Sequence, residues 1–268
     1  MTDFEGAPRA RKRFGQNFLV DAATIERILA AIRPGAGDTV VEIGPGRGAL
    51  TEGLIASGAR LHLVEIDRDL AAHWRARESA RLSVHARDAL EFDFSTLAPA
   101  GEQLRIVGNL PYNISTPLLF HLLGQARAVR DMHFMLQREV VERLGAHPGT
   151  ADYGRLSVMV QYQCRVQPLL AVPPHAFAPA PRVQSAVVRL LPGHFDHGRC
   201  AAPEALAAIV RQAFSHRRKT LRNALAGLVD AAALEQLDID PGRRPETLAV
   251  AEFVRLAGRV AAAQAELV

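Results

Sequence analysis

Residues 40–50 read Val40-Val41-Glu42-Ile43-Gly44-Pro45-Gly46-Arg47-Gly48-Ala49-Leu50. The apolar, β-branched start of this stretch is typical of a buried parallel strand, and the glycines after it lead into a helix-compatible segment. Such a strand–turn–helix unit holds nucleotide-like ligands in α/β proteins, because glycine lets the main chain approach a ligand without a Cβ in between. The stretch therefore predicts an α/β fold. It also matches the dinucleotide pattern G-x-G-x-x-G/A of nicotinamide dehydrogenases, so the loop alone leaves the ligand open.

Length and composition place the chain among ordinary globular proteins. Its 268 residues suffice for one large domain or for a principal domain with a smaller appendage. The composition is 49% hydrophobic and 22% charged, and no segment approaches the roughly 18 uninterrupted apolar residues of a membrane span. Asp21 and Glu26 interrupt the apolar stretch after the basic N-terminus, which argues against a signal peptide. We therefore expect a cytoplasmic protein that does not associate with membranes.

The distribution of charge and of helical periodicity divides the chain. The net charge of +4 favours an anionic partner, and the only two lysines, Lys12 and Lys219, each lie in a basic cluster. From Pro203 onward helical periodicity dominates without strand signals. We therefore divide the chain into domains 1–192 and 193–268, of which the second is small, basic and all-helical.

A run of basic residues is predicted on the first long helix of this second domain. Its members are Arg211, His216, Arg217, Arg218, Lys219 and Arg222. A basic run is usually only a solvated face. Here no acid interrupts it, and like charges repel along a helix, so contact with a polyanion would relieve the repulsion.

Polar side chains follow several of the predicted strands. Glu65 comes after the glycine loop by about the 20-residue distance at which an acid accepts hydrogen bonds from ribose hydroxyls, and a solvated strand end is the alternative. Asp67 is expected to cap the next helix. Asp88 could accept from an exocyclic amine such as adenine N6, or serve as a turn carboxylate. Near the N-terminus, Asn17 could bind a ligand carboxylate or hydroxyl, or cap a turn.

The most informative motif follows the fourth predicted strand and reads Asn109-Leu110-Pro111-Tyr112. Proline biases Leu110 toward extended geometry, so main-chain carbonyls can point outward into a crevice. The Asn109 side-chain oxygen lies beside them, and Tyr112 adds an aromatic face. Together they form a pocket that accepts hydrogen bonds from a planar amine while stacking on its ring, for which a dehydrogenase has no evident use. Phe177, before a stiff proline loop, is either a second stacking face or a packing residue.

These motifs together resemble the ribosomal RNA adenine dimethyltransferase family, specifically the bacterial enzymes that dimethylate two adjacent adenosines near the 3′ end of small-subunit rRNA. The agreement runs in order from the N-terminus into the helical domain, which makes it far more specific than the glycine loop alone. The matching stretches are Phe14–Leu19, Glu42–Gly48, Glu65–Asp67, Asp88–Ala89, Asn109–Tyr112, Tyr153–Ser157, Phe177–Val183 and Arg217–Asn223.

The resemblance implies a class I S-adenosylmethionine-dependent methyltransferase, with a Rossmann-like seven-stranded sheet and a small C-terminal all-helical domain. S-adenosylmethionine is then the methyl donor, bound by the domain at residues 1–192. The family's donor-binding positions fall on Asn17, Leu19, Gly44, Glu65, Asp88 and Asn109. The residues expected to hold the adenine for methyl transfer are Asn109, Leu110, Tyr112 and Phe177.

The implied partner is 16S rRNA in the immature 30S subunit, which the basic helical domain at residues 193–268 would dock. The expected RNA contacts are Arg217, Arg218, Lys219 and Arg222. We expect a monomer. Two alternatives stay open: a 23S rRNA adenine methyltransferase of the antibiotic-resistance type, and a protein that acts mainly as a ribosome-assembly factor.

No metal is expected. His194, Asp196 and His197 lie close together in a predicted linker, but nothing else in the sequence supports a metal site there. Cys164 and Cys200 lack metal-ligand spacing, and a disulfide between them is not expected.

Overall fold

The computed structural model describes residues 16–193, 196–216 and 218–265. Contacts divide the chain into two compact units. The first comprises the described residues up to Val141 together with Gln167–Pro192, and the second comprises Glu142–Val166 and the described residues from Gly193 onward. The second unit thus takes in residues 142–166, which the sequence analysis placed in the N-terminal domain.

Among the described residues, nine strands form one sheet of seven and one of two. They are β1 Phe18–Leu19, β2 Thr39–Ile43, β3 Arg60–Val64, β4 Leu82–His85, β5 Leu104–Asn109, β6 Val129–Gln137, β7 Cys164–Val172, β8 Phe177–Ala178 and β9 Ser185–Pro192. The large sheet has the order β4-β3-β2-β5-β6-β9-β7. Neighbours from β4 to β6 are parallel, β9 is antiparallel to β6, and β1 pairs with β8. The predicted seven-stranded sheet is confirmed.

Helices flank and follow these strands. They are α1 Ala22–Ile32, α2 Thr51–Ala56, α3 Arg68–Arg75, α4 Ser115–Gly124, α5 Arg138–Leu144, α6 Arg155–Gln163, α7 Pro203–Ser215, α8 Leu221–Ala224, α9 Ala231–Gln236 and α10 Val250–Ala265. The predicted cap of α3 is confirmed, since Asp67 accepts a hydrogen bond from the Asp69 N–H at 3.1 Å. None of the described helices has the length and apolar character of a membrane span.

Strand β2 lies inside the large sheet, between β3 and β5. Val40 and Val41 are fully buried, as expected of a parallel strand covered on both faces. Val41 is in register with His62 of β3 and with Ile106 of β5. Because these strands are parallel, the loops that follow them leave the sheet at the same edge, and this edge carries the polar motifs.

A buried charge network lies at the opposite edge of the sheet. The Arg105 guanidinium donates to Asp131 Oδ1 at 3.0 Å, to Asp38 Oδ2 at 2.9 Å and to the Ile32 carbonyl at 2.6 Å. Burial alone would raise the pKa of Asp131, but hydrogen bonds from His133 and Arg105 and the Arg105 charge lower it to about 2. The network joins the end of α1 to the amino ends of the central strands, and so fixes the helix that follows β1.

The second unit is built from helices α6, α7 and α10 around buried aromatic side chains. Tyr153 is fully buried, and its hydroxyl donates to the Leu248 carbonyl at 2.9 Å. The Phe214 ring lies between those of Tyr153 and Phe253, with centroid distances of 6.2 Å and 5.9 Å. From Pro203 onward the described residues contain helices and no strand, as predicted.

The prediction of one long helix that carries the basic run was wrong. Helix α7 ends at Ser215 and α8 begins at Leu221, so the basic run lies mostly between them. Neighbouring cations at residues 217–219 repel one another and lack acidic partners one helical turn away, which disfavours a continuous helix. We refer to residues 216–222 as the basic connection; Arg217 within it lies outside the described residues.

Candidate active site

A crevice of about 280 Å³ opens where the parallel strands end. The strand order reverses between β2 and β5, because β2 pairs with β3 on one side and with β5 on the other. Ligands of open α/β sheets bind at such a switch point. Eight of the predicted site residues line this crevice. They are Asn17, Leu19, Gly44, Glu65, Asp88, Asn109, Leu110 and Tyr112.

The glycine loop forms the floor of the crevice. Gly44 has φ +66°, and a Cβ added there would meet no protein atom within 4 Å, so the space above it belongs to the crevice. Gly48 has φ +87°, and its Cβ would come within 2.7 Å of the Trp74 ring. The indole N–H of Trp74 donates to the Gly46 carbonyl at 3.0 Å. The loop is therefore packed tightly from behind and open toward the ligand.

Glu65 is held rigidly on the β3 side of the crevice. It is 4% exposed. Its Oε2 accepts from the Gly46 N–H at 3.3 Å, and its Oε1 accepts from the Asp67 N–H at 2.9 Å. Burial raises the pKa of Glu65, while these main-chain hydrogen bonds oppose the rise. The carboxylate keeps acceptor capacity for a ligand hydroxyl.

Glu42 is a crevice residue to which sequence reasoning assigned no role. It is 2% exposed, lines the crevice beneath the glycine loop, and accepts a hydrogen bond from Thr51 Oγ1 at 2.7 Å. Burial raises the pKa of Glu42 to about 8, and the nearby Glu65 charge adds to the rise. An acid at the end of a buried strand was visible in the sequence, but its isolation from solvent was not.

Asp88 is both a turn residue and a lining residue of the crevice. It lines the crevice after β4, and its Oδ1 accepts from the Leu90 N–H at 2.9 Å in a turn. One oxygen therefore shapes the loop, and the carboxylate still has acceptor capacity for a ligand amine.

The amide of Asn109 is oriented by the N-terminal segment. Its Nδ2 donates to the Asn17 carbonyl at 2.9 Å. A carbonyl can only accept, so the NH₂ group must face Asn17 and Oδ1 must face away. Oδ1 and the Leu110 carbonyl make no hydrogen bond to other residues that the structure describes. Asn109 and Leu110 both line the crevice, so two acceptors without a donor belong to its lining residues.

Tyr112 is anchored through its phenol. Its hydroxyl and Ser185 Oγ are 2.7 Å apart. The ring is half-buried in the crevice wall, and burial raises the pKa of Tyr112. Ser185 was missed by sequence reasoning, because nothing local distinguishes the first residue of a strand 73 positions away.

Phe177 is not brought to the crevice. Its side chain is 4% exposed and belongs to the hydrophobic core, and its main chain pairs with Leu19 in the two-stranded sheet. This placement favours the packing alternative over a second stacking face.

The described members of the basic connection lie on the surface of the second unit. Arg218, Lys219 and Arg222 are all exposed. None of the three forms an ion pair within the part of the chain that the structure describes. Three solvated cations at the junction of α7 and α8 are therefore available to an anionic partner.

The strand order and the crevice at its reversal point define a class I S-adenosylmethionine-dependent methyltransferase. A family model described as ribosomal RNA adenine dimethylase matches residues 7–262. The chain therefore belongs to the ribosomal RNA adenine dimethylase family.

Individual relatives agree with this assignment. The ribosomal RNA small subunit methyltransferase A of Pseudomonas aeruginosa is 56% identical over 255 residues, which is 94% of this chain and 95% of the relative. The protein of the same name from Chromobacterium violaceum is 58% identical over 254 residues, or 93% and 95% of the two chains.

Two solved structures have the same fold. A dimethyladenosine transferase from Plasmodium falciparum superposes with a TM-score of 0.74 at 25% identity, covering 89% of this chain and 95% of its own. The 23S rRNA methyltransferase ErmE gives a TM-score of 0.67 at 27% identity, covering 91% and 100%.

Proposed function

We propose that this protein transfers methyl groups from S-adenosylmethionine to N6 of two adjacent adenosines in the 3′-terminal hairpin of 16S rRNA, giving N6,N6-dimethyladenosine during small-subunit biogenesis. The observation that carries the proposal is the Asn109 amide, which Asn17 holds so that the amide oxygen is left without a donor at the crevice. The names of the relatives at 56% and 58% identity support the small subunit as the substrate.

The donor side of the crevice fits S-adenosylmethionine. The space above Gly44 is open, Glu65 can accept from a ribose diol, and Asp88 can accept from an adenine amine. Asn17 and Leu19 line the same side. When bound, S-adenosylmethionine supplies an electrophilic methyl group.

The acceptor side can activate a weak nucleophile. The exocyclic amine of adenine reacts poorly because its lone pair is delocalised into the ring. Asn109 Oδ1 and the Leu110 carbonyl would accept hydrogen bonds from the two N–H groups of this amine and favour a pyramidal nitrogen, which frees the lone pair. Tyr112 would stack on the base, a contact worth about 1–3 kcal/mol. Aligning reactants in this way contributes as much as ~7–11 kcal/mol to catalysis.

The reaction needs no strong general base, because N6 becomes acidic as the methyl group arrives and can lose its proton to water. Tyr112 would not serve as that base. Burial raises the pKa of its phenol, so the hydroxyl keeps its proton at neutral pH.

The basic connection would dock on the RNA, with Arg217, Arg218, Lys219 and Arg222 as its contacts. Exposed cations that neutralise phosphates supply affinity without reading sequence. We further propose that the protein works as a monomer in the cytoplasm on immature 30S subunits.

Labelled methyl transfer from S-adenosylmethionine to undermethylated small subunits, followed by mapping of the modified nucleotides, tests the proposal. Label is expected on two adjacent adenosines of the 3′-terminal hairpin. The Asn109→Ala and Tyr112→Ala variants should lose methyl transfer while retaining donor affinity to a large degree. Label elsewhere in small-subunit rRNA, or none, would overturn the proposed reaction.

The structural likeness to ErmE makes methylation of 23S rRNA the second candidate. Isolated large subunits offered in the same assay separate the two, because only a 23S-directed enzyme would label them. A primary role as an assembly factor is tested by growth of cells that carry only the Asn109→Ala protein. Normal subunit maturation in those cells would favour the assembly role.

A further inference from the structure

We propose that Ser185 is a positioning residue that holds the Tyr112 ring against the incoming adenine. The proposal rests on the stacking role given to Tyr112 under the proposed function. It concerns a different element, because Ser185 begins strand β9 whereas Tyr112 belongs to the loop after β5.

The two hydroxyls depend on each other. The Tyr112 phenol oxygen lies 2.7 Å from Ser185 Oγ, and neither oxygen has another hydrogen-bond partner within the described residues. Ser185 is fully buried. A buried hydroxyl costs free energy unless it is hydrogen-bonded. Separating the two side chains would therefore leave both hydroxyls without a partner, which stabilises the pair.

Ser185 stands on rigid backbone. It pairs with Gln137 of the neighbouring strand β6, and the following residues continue that ladder to Leu190. Tyr112, in contrast, lies on a loop, and its main-chain carbonyl accepts from Ser115 Oγ at 3.0 Å. The tyrosine is therefore fixed at both ends, through its carbonyl by Ser115 and through its phenol by Ser185.

This anchoring sets the position of the ring. The phenol oxygen lies on the axis about which the ring turns, so a hydrogen bond at this far end restricts the first side-chain torsion and holds the ring axis in place. The ring lines the crevice, and it stacks on no other described aromatic ring. The ring is thus already held at the wall of the space where the adenine would enter, so substrate binding need not bring it there.

The test is a double-mutant cycle on methyl transfer to undermethylated small subunits. Ser185→Ala and Tyr112→Phe each remove the same hydrogen bond, and each should lower kcat about 3- to 10-fold, the range expected for one hydrogen bond. The dissociation constant for S-adenosylmethionine should not change. The double variant should be no slower than the worse single variant, because the interaction is already lost.

Ser157→Ala is the matched control. Ser157 is also fully buried, and its hydroxyl donates to the Arg143 carbonyl in the second unit. Its effect should multiply with that of Tyr112→Phe, because the two side chains share no contact. Multiplicative losses for the Ser185 and Tyr112 pair as well, or full activity of Ser185→Ala, would overturn the proposal.

A fluorescence readout follows the ring itself. Replacing the target adenine by 2-aminopurine gives a base whose emission falls when it stacks. Quenching should weaken in Ser185→Ala and return in Ser185→Thr, which restores the hydroxyl. If Ser185→Ala fails to fold, Tyr112→Phe must still show the loss of rate and of quenching, since it removes the same bond at a half-buried position. Undiminished quenching in Tyr112→Phe would overturn the proposal.

Tyr112→Ala separates this inference from the proposed function. Full activity of Tyr112→Ala would refute stacking altogether. An inactive Tyr112→Ala beside fully active Ser185→Ala and Tyr112→Phe would refute only the positioning role of Ser185.

Discussion

Replacing Glu42 by glutamine should make the first unit more stable above neutral pH. The carboxyl is 2% exposed, and burial raises its pKa from 4.5 to about 8. Between these two values the unfolded chain has lost the proton while the folded protein keeps it. The stability that the protonated form provides is therefore complete below pH 4.5 and is lost as the pH rises toward 8. A glutamine side chain at this position would stay neutral at every pH and still accept from the Thr51 hydroxyl.

The size of the effect follows from the proton difference. One proton bound to the folded state and absent from the unfolded state changes the free energy of unfolding by about 1.4 kcal/mol per pH unit. Between pH 6.5 and 8 the wild-type protein should lose roughly 1.5–2 kcal/mol relative to Glu42→Gln. This window lies above the pH range in which His62 titrates. Burial lowers the pKa of His62 to about 4, so below pH 6.5 this histidine makes the free energy of unfolding rise with pH, opposite to the effect of Glu42.

Urea denaturation at several pH values measures this difference. Trp74 is the only tryptophan, and it is buried in the first unit, so its fluorescence reports the unfolding of the unit that contains Glu42. Glu26→Gln, an exposed change on α1, is the control, and its curve should run parallel to that of the wild-type protein. A stability difference between Glu42→Gln and the wild-type protein that stays constant from pH 5 to 8 would refute the reasoning.

Two further predictions concern the ligand surfaces. Gly48→Ala should lower the melting temperature and, by displacing the glycine loop, weaken S-adenosylmethionine binding, because its Cβ would meet the Trp74 ring at 2.7 Å on backbone with φ +87°; backbone strain of this kind costs about 1–3 kcal/mol. Calorimetric titration with S-adenosylmethionine measures the affinity, and Gly35→Ala is the control because its Cβ meets nothing within 4 Å. Equal affinities of the two variants would contradict the packing argument. Changing the three exposed cations of the basic connection to glutamine should reduce the slope of log affinity for rRNA against log salt by about 2–3, roughly 0.7–0.9 for each phosphate contact. Arg27→Gln, exposed on α1, should leave the slope unchanged, and an unaltered slope in the triple variant would remove the docking role.

Local sequence was a good guide to where the elements of the first unit lie. Strand β2 and the cap of α3 at Asp67 follow from patterns that span a few residues. The same local reasoning placed a single helix across the basic run, and there it failed. The repulsion among adjacent cations was expected to be relieved by a polyanionic partner on a continuous helix, whereas the structure breaks the helix at Ser215.

The crevice was predictable as a set of residues because each motif follows a strand, and parallel strands end at one edge of the sheet. Glu65, Asp88 and Asn109 could be grouped on that rule alone. Phe177 could not be decided in the same way. Its motif leaves open which way the ring points, and only the pairing of β8 with β1 shows that it enters the core.

The sequence by itself determined the kind of fold, the edge of the sheet that binds ligands and, through the order of its motifs, the family. Tertiary structure alone decided how the functional groups are oriented. Asn17 turns the Asn109 amide across 92 residues, and Ser185 fixes the Tyr112 ring across 73. The physical reason is that such contacts depend on distances set by sheet register and burial. A motif supplies the chemical groups, whereas packing decides whether the oxygen or the nitrogen of an amide faces the crevice. Packing also decides which carboxyl is buried away from solvent, as that of Glu42 is.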